Sequence, residues 1–324
     1  MTLALICTVA PLIIAWSMLG PRALRWAAPA LARTPLAAAV ALIGIIASWI
    51  AAALAIGPVF AWVLSGPRVL SAGATNVCRR CLAHASPFDG PTIHTGLPTV
   101  VLLILPLLAG AAGLYVTARH AYRARRRARV TAAALRASSH HRYVANASVR
   151  LLDRTEATVF ALAHRDGGIF ISDAALGLLD RDELHAVLAH ERAHLRQRHH
   201  GIMAVATALS APVRWVPLVD AALSAIPHYL EIAADNAARR AVSTPALASA
   251  LLKLDDQQRG QELIGALHVA GPNRVEQLVA ATRLTWRGVT ATTMIGIYAA
   301  LSTTLTAGAY GSYVLAAGTC LWAP

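Results

Sequence analysis

The five residues His190-Glu191-Arg192-Ala193-His194 carry the strongest chemical signal in this sequence. On an α-helix, residues four positions apart lie one turn apart on the same face, so both imidazoles can bind one metal ion. Glu191 lies beside them, where a carboxylate can take a proton from a water molecule. This pattern is typical of zinc peptidases, and it predicts His190 and His194 as metal ligands and Glu191 as the catalytic base.

The residues around this motif favour a helix. The acidic run 180–183 suits a helix N-terminus, because the helix dipole stabilises negative charge there. The basic run 196–200 suits a helix C-terminus for the opposite reason. Between them, apolar side chains recur at helical spacing, at Leu184, Val187, Leu188 and Leu195.

A catalytic zinc site takes three protein ligands and keeps one position open, so a third ligand must come from elsewhere in the chain. Glu231 is the candidate, 37 residues after His194, in a segment predicted to form a second helix that begins at Pro227. Asp235 shares a helix face with Glu231 and could accept a hydrogen bond from the far nitrogen of a zinc-bound histidine. The alternative is that both acids form a solvated helix face with Arg239.

Two segments together resemble a known family. The sequence L-H-A-V-L-A-H-E-R-A-H-L at 184–195, followed by E-I-A-A-D at 231–235, resembles the BlaR/MecR-type antirepressor metallopeptidases, which are integral membrane gluzincins. It is more distantly similar to the HtpX and CAAX-prenyl proteases. The resemblance covers roughly residues 100–285. It implies a zinc endopeptidase with one Zn²⁺ per chain, which lies in the cytoplasm between the third and fourth membrane helices and cleaves a small DNA-binding repressor of the BlaI type.

The sequence departs from this family pattern in one respect. The β-lactam sensors of the family carry a C-terminal penicillin-binding domain with a Ser-x-x-Lys nucleophile. Here the numbering ends at Pro324, and the only lysine, Lys253, is preceded at that spacing by Ala250. We therefore expect no direct acylation by a β-lactam. The activating signal would instead come from the outer loop, the lipid or a separate partner.

Composition indicates a membrane protein. Hydrophobic residues make up 56% of the chain and the mean hydropathy is +0.53, which is too apolar for an ordinary soluble domain of this length. A crossing takes about 20 apolar residues. Four stretches meet this length, at about 2–20, 36–65, 98–118 and 288–318. The second is longer than one bilayer, so we expect it to tilt, to kink near Gly57-Pro58 or to protrude.

Arginine placement predicts the topology. Arginines are concentrated in the loop 21–35 and directly after the third span, and the positive-inside rule places both segments in the cytoplasm. The N-terminus, the loop 66–97 and the C-terminus then lie outside the cell, in a multi-pass protein of the plasma membrane. The arginines after the third span are Arg119, Arg123, Arg125, Arg126, Arg127 and Arg129.

A net charge of +13 raises the question of nucleic-acid binding. Six arginines directly after a spanning helix are also what contact with anionic lipid headgroups requires. We therefore expect membrane lipid and a protein substrate as partners and no direct contact with nucleic acid, and leave a homodimer open.

The predicted domains are a membrane region at 1–118, a cytoplasmic zinc metallopeptidase domain at 119–287, and a fourth transmembrane helix with a short C-terminus at 288–324. Within the peptidase domain, 149–152 and 158–162 alternate like strands, and a turn at 165–168 joins the latter to 169–172 in a β-hairpin. Ser172 or Asp173 then caps a helix. The predicted fold is a mainly α polytopic membrane protein with an inserted α+β gluzincin domain that contains a small antiparallel sheet, whose exposed edge could bind a substrate strand.

Other signals are weaker. Cys78 and Cys81 lie in the loop placed outside, where a disulfide is the first interpretation and a metal site the second. Arg274 lies in a basic element that resembles one found after the ligand helix in related proteases.

Three functions fit the motifs. The chain could be a signalling protease that cleaves a BlaI-type repressor, a membrane quality-control protease of the HtpX kind, or a receptor or scaffold without catalysis. Intramembrane proteolysis is disfavoured, because charged residues flank the motif and cannot lie in hydrocarbon.

Overall fold

The structure, a computed structural model, describes residues 2–65 and 99–259. The helices in these ranges are α1 (Thr2–Leu31), α2 (Pro35–Ser65), α3 (Thr99–Ala137), α4 (Asp173–Leu178), α5 (Arg181–Arg196), α6 (His199–Ser210), α7 (Pro217–Ala241) and α8 (Thr244–Arg259). The strands are β1 (Ser139–Val144), β2 (Ala147–Leu152), β3 (Val159–Ala161) and β4 (Ile169–Ser172). The predictions for Cys78, Cys81, Arg274 and the span 288–318 lie outside the described residues.

The sheet is mixed, which corrects the prediction of a purely antiparallel one. Its order is β1-β2-β4-β3, with β1/β2 and β3/β4 antiparallel but β2/β4 parallel. The predicted hairpin of β3 and β4 is confirmed, with Phe160 opposite Phe170. All four residues of β4 are buried, so β4 takes an inner position, where it pairs with β2 on one side and β3 on the other.

A tight turn between β1 and β2 ties the sheet to the motif helix α5. Ala145 and Asn146 have φ of 46° and 57°, as the two central residues of a hairpin turn with right-handed twist require. The side chain of Arg192, within the motif, donates to the carbonyl oxygen of Asn146 over 2.7 Å. The turn is thereby held against the helix that carries both histidines.

The N-terminus of α5 is capped as the acidic run predicts. Asp180 accepts hydrogen bonds from the backbone N–H groups of Asp182 and Glu183, and Glu183 accepts one from the backbone of Asp180. Glu183 is buried, and it also accepts from Ser249 at 2.5 Å and from Lys253 at 2.7 Å. One carboxylate therefore closes the cap of α5 and binds α8 to it.

Helix α5 lies between the sheet and two later helices. Val187 and Leu188 belong to the core that the strands form, whereas Ala186 packs against Ala238 of α7 and Leu247 of α8. A fully buried leucine stabilises a fold by about 2 kcal/mol. Apolar side chains on both sides of α5 thus fix its position.

The ends of α1 and α2 pack against α7. Ala38, Leu42 and Ile46 of α2 share one core with Leu218 and Ile226 of α7. At Gly20 of α1 an added Cβ would lie 2.5 Å from Cδ1 of Leu218, so a larger residue there would require the Leu218 side chain to shift. This packing crosses residue 118, where a domain boundary is predicted.

Two local predictions are wrong. The segment 21–35 is not a loop but mostly helix, because α1 continues to Leu31. The second helix begins at Pro217 and not at Pro227, which lies inside α7. Proline suits the first turn of a helix, where its missing N–H has no partner to lose, and Pro217 has that position.

Among residues 2–65 and 99–259, one segment, Pro35–Gly57, is long and apolar enough to cross a membrane, with a mean hydropathy of 2.5. A buried core helix can meet the same criterion, so this segment is only a weak indication of a membrane association. The other predicted spans remain predictions.

The bond between Glu183 and Lys253 leads to a test of stability. Burial raises the pKa of Glu183, but the hydrogen bonds from Lys253, Ser249 and the Asp180 backbone outweigh it, so its pKa lies below the ordinary value. Its contribution to stability is therefore present above the ordinary glutamate pKa and lost as the pH falls through the lowered value. We expect Lys253→Met to lower the free energy of unfolding at pH 7 by about 1–3 kcal/mol, because it leaves a buried carboxylate without its cation.

Chemical denaturation at pH 7 and at successively lower pH checks this expectation. The difference between wild type and Lys253→Met should shrink as Glu183 becomes protonated. Arg240→Met, which removes an exposed cation near the end of α7, is the matched control and should change little. Equal stability of Lys253→Met and wild type at pH 7 would contradict the assignment.

Candidate metal centre

The structure brings His190, His194 and Glu231 together. Their ligand atoms all lie within 4.8 Å of one another. The Nε2 atoms of the two histidines are 3.0 Å apart, and the Glu231 carboxylate oxygens lie 3.5 Å from Nε2 of His190 and 3.6 Å from Nε2 of His194. The first two residues come from α5 and the third from α7, so the group exists only because these helices pack together.

These distances fit a zinc ion. With zinc–ligand bonds of about 2.0–2.1 Å in a tetrahedron, two ligand atoms are separated by about 3.3 Å. The two histidine nitrogens are 3.0 Å apart, and each lies 3.5–3.6 Å from a different oxygen of Glu231, so the carboxylate faces both histidines near that separation. Two imidazole nitrogens and one carboxylate are also a donor set that zinc takes in catalytic sites. The residues therefore could bind a metal ion.

Asp235 lies behind His190. Its Oδ1 is 3.0 Å from Nδ1 of His190, the ring nitrogen that points away from Glu231. The side chains of His190 and Asp235 are 7% and 6% exposed, whereas Glu231 is 28% exposed. The two acids therefore do not form one solvated face of α7, which was the alternative interpretation. Asp235 is the buried partner of a histidine, and Glu231 faces the open side.

Sequence analysis missed His199. Its Nδ1 lies 2.8 Å from Nδ1 of His194, and its Nε2 lies 2.9 Å from Oε1 of Gln197. The basic run 196–200 is not one helix end, because α5 stops at Arg196 and His199 begins α6. The signal was a third histidine five residues after His194, but helix periodicity alone does not bring such a residue back to the same face.

Glu191 is buried beside this group and is not one of its three members. It follows His190 directly on α5, so its side chain leaves the helix at a different angle. A carboxylate next to the metal position, and separate from the ligands, suits a proton acceptor. The catalytic role of Glu191 stays a prediction.

The histidines of the site differ in their charge. Burial lowers the pKa of His190, but its hydrogen bonds with Asp235 and Glu231 outweigh this effect and raise the pKa to about 9. Burial, with the charge of His190, lowers the pKa of His194 to about 3, and burial lowers that of His199 to about 4. At neutral pH the His190 ring therefore carries a second proton and is positively charged. A metal ion that binds this ring has to displace that proton.

Comparison with known proteins gives one match. The model of peptidase family M48 matches residues 118–227, about one third of the chain. This range includes His190 and His194 and ends four residues before Glu231. The match supports a zinc metallopeptidase. No curated protein and no solved structure matches the chain.

Metal content tests the site. We expect purified wild-type protein to hold about one zinc ion per chain, and His194→Ala and Glu231→Ala to lose most of it, because each removes one of three ligands. Asp235→Ala should bind zinc about 10–100-fold more weakly, since it removes only the partner of His190. Elemental analysis and chelator competition measure both quantities.

Asp220→Ala is the matched control, because Asp220 is an exposed carboxylate on the same helix α7. It should keep the zinc. A wild-type protein that is purified without chelator, contains no zinc and takes none up would refute the metallopeptidase interpretation.

Proposed function

We propose that this protein is a membrane-bound zinc endopeptidase whose active site faces the cytoplasm. The observation that carries this proposal is the convergence of His190, His194 and Glu231 at zinc-ligand separations, with Glu191 beside them. The match to peptidase family M48 supports the same class of enzyme.

The side chains divide the work of peptide hydrolysis. His190, His194 and Glu231 would hold zinc, which when bound polarises the scissile carbonyl and acidifies water. Glu191 accepts a proton from the attacking water as the water oxygen bonds to the carbonyl carbon. The carbon–nitrogen bond then breaks, and Glu191 delivers the proton to the departing amine. Asp235 holds the His190 ring in place during both steps.

The sheet supplies a place for an extended peptide. Strand β3 ends the sheet and packs against α5, which carries the motif. In its antiparallel pairing with β4, Phe160 lies opposite Phe170 and Leu162 donates to Gly168, so the backbone groups of Val159 and Ala161 point away from β4. The carbonyl oxygen of Ala161 accepts a hydrogen bond from His200, and a substrate strand that replaces this bond can add to the edge and run past the zinc ligands.

Several contacts support a location at the membrane. Trp215, in the turn between α6 and α7, is 79% exposed, and its ring lies 6.5 Å from that of Trp49 in the apolar helix α2. Pro212, in the same turn, approaches Gly113 of α3, six residues before Arg119. Six helical residues span about 9 Å. If Arg119 lies among the lipid headgroups, the turn that contains Trp215 would lie near the membrane–water interface, where tryptophan is enriched.

The physiological substrate is the finer part of the proposal. The resemblance of 184–195 and 231–235 to the BlaR/MecR-type antirepressors favours a BlaI-type repressor. The alternative is quality control of membrane proteins, as in the HtpX proteases. It is favoured by the shared core of α7 with α1 and α2, which places Glu231 on a helix packed against the predicted spans. A scaffold without catalysis is the third possibility.

Replacement of Glu191 separates catalysis from metal binding. We expect Glu191→Gln to keep the zinc and the fold, and to lower turnover by about two or more orders of magnitude, because the amide cannot accept the proton. Peptide cleavage assays and zinc analysis on the same preparation measure the two effects. Glu156→Gln, which changes an exposed glutamate in the loop before β3, is the control and should retain activity.

Cleavage in cells then identifies the substrate. Under the inducing condition a BlaI-type repressor should persist intact in Glu191→Gln cells and be cleaved in wild-type cells. If both strains cleave the repressor equally fast, the chain is not its protease. If wild-type cells leave the repressor intact and accumulate cleaved membrane proteins, the quality-control function replaces the signalling one.

Reporter fusions test the topology. A reporter fused after residue 130, beyond the arginines of α3, should report the cytoplasm, whereas reporters at residues 85 and 324 should report the outside. Fusion at residue 33, between α1 and α2, is a second cytoplasmic point that does not depend on α3. The reverse pattern would place the site in the wrong compartment for cleaving a repressor.

A further inference from the structure

We propose that His199 is a positioning residue for the zinc ligand His194, and that Gln197 selects the tautomer in which His199 can do this. The inference rests on the zinc site proposed above and adds a partner for its second histidine. Asp235 holds His190, and His199 has the corresponding place behind His194.

The orientation of the His194 ring assigns its hydrogen. Its Nε2 faces Nε2 of His190 at 3.0 Å and Oε1 of Glu231 at 3.6 Å, so this nitrogen is the one that offers a lone pair to a metal. A neutral imidazole carries its hydrogen on the other nitrogen. Nδ1 of His194 is therefore the donor, and the atom 2.8 Å away, Nδ1 of His199, has to accept.

Gln197 completes the assignment. Because Nδ1 of His199 accepts, the hydrogen of its own ring is on Nε2. That nitrogen lies 2.9 Å from Oε1 of Gln197, an oxygen that only accepts. Each contact in the series His194, His199, Gln197 then joins one donor to one acceptor. With the hydrogen of His199 on Nδ1, two donors would face each other at His194 and two acceptors at Gln197.

The backbone holds His199 where this series needs it. His199 is only 3% exposed and begins α6, directly after Arg198, whose φ of 55° is uncommon for a residue with a side chain. A residue with a side chain is strained in this left-handed conformation, so the packing around it has to favour the reversal. The reversal turns the chain between α5 and α6. It brings the side chains of Gln197 and His199 within hydrogen-bond distance of each other.

The partners of the two histidines differ in charge. A carboxylate behind His190 makes that ring a stronger electron donor, whereas a neutral imidazole behind His194 orients the ring and adds no negative charge. The site thus gains a fixed geometry at both rings and keeps more of the positive charge of the metal available to a substrate carbonyl.

Two variants of equal shape isolate the hydrogen bond. In His199→Asn, Oδ1 takes the position of Nδ1 and can still accept from His194, whereas His199→Leu has the same branched shape and no acceptor. Both lose the contact with Gln197. We expect the leucine variant to bind zinc about 10–100-fold more weakly in chelator competition, and the asparagine variant to keep most of the affinity.

Cobalt substitution gives a readout of geometry. The visible absorption of Co²⁺ in the site should change in His199→Leu and stay close to wild type in His199→Asn. His141→Leu, which replaces an exposed histidine of β1, is the control and should match wild type. Thermal unfolding of the metal-free proteins shows whether a variant folds.

The outcomes separate this inference from the zinc site itself. If wild type and His199→Leu bind zinc equally well while His194→Ala loses it, the site stands and the role of His199 is refuted. If asparagine and leucine weaken binding alike, the effect comes from lost packing, and the hydrogen-bond role is refuted as well. A wild type that binds no zinc refutes the site.

Discussion

Close packing of α5 against α7 is the constraint on which the site depends. The two helices carry candidate ligands, His194 and Glu231, that are 37 residues apart in the chain and whose polar atoms approach to 3.6 Å. Ala186 and Ala238 are fully buried where the helices meet, because a methyl group lets two helix backbones come near. A larger side chain there would move Glu231 and Asp235 away from both histidines together.

Each helix of this pair is held from its far side by a different part of the fold. The sheet and α4 hold α5 through Val187 and Leu188, while α1 and α2 hold α7 through Leu218 and Ile226. The hydrophobic ends of α1 and α2 are thus part of the core that positions α7. If α2 crosses the membrane, as we propose, the geometry of the site is linked to the membrane helices by direct packing.

The polar groups of the site differ in their exposure to solvent. His190 and Asp235 are nearly inaccessible, and Glu231 is the ligand that water reaches most easily. In the proposed peptidase the buried pair would set the position of the metal, and the more exposed Glu231 would lie on the side from which a peptide enters. At the other end of α5 the Glu183 carboxylate accepts hydrogen bonds from Ser249, Lys253 and the backbone, so the N-terminus of this helix is fixed to its own cap and to α8.

Short-range features could be predicted from the sequence, because their physics is local. The spacing of His190 and His194, the acidic cap before α5 and the β3–β4 hairpin each depend on neighbouring residues, and the structure contains all three. Tertiary packing decided the rest. The parallel pairing of β2 with β4, the start of α7 at Pro217 and the convergence of Glu231 with the histidines depend on contacts between distant segments. His199 shows the limit most clearly, since a turn at a single left-handed residue, outside any periodic pattern, brings its ring to His194.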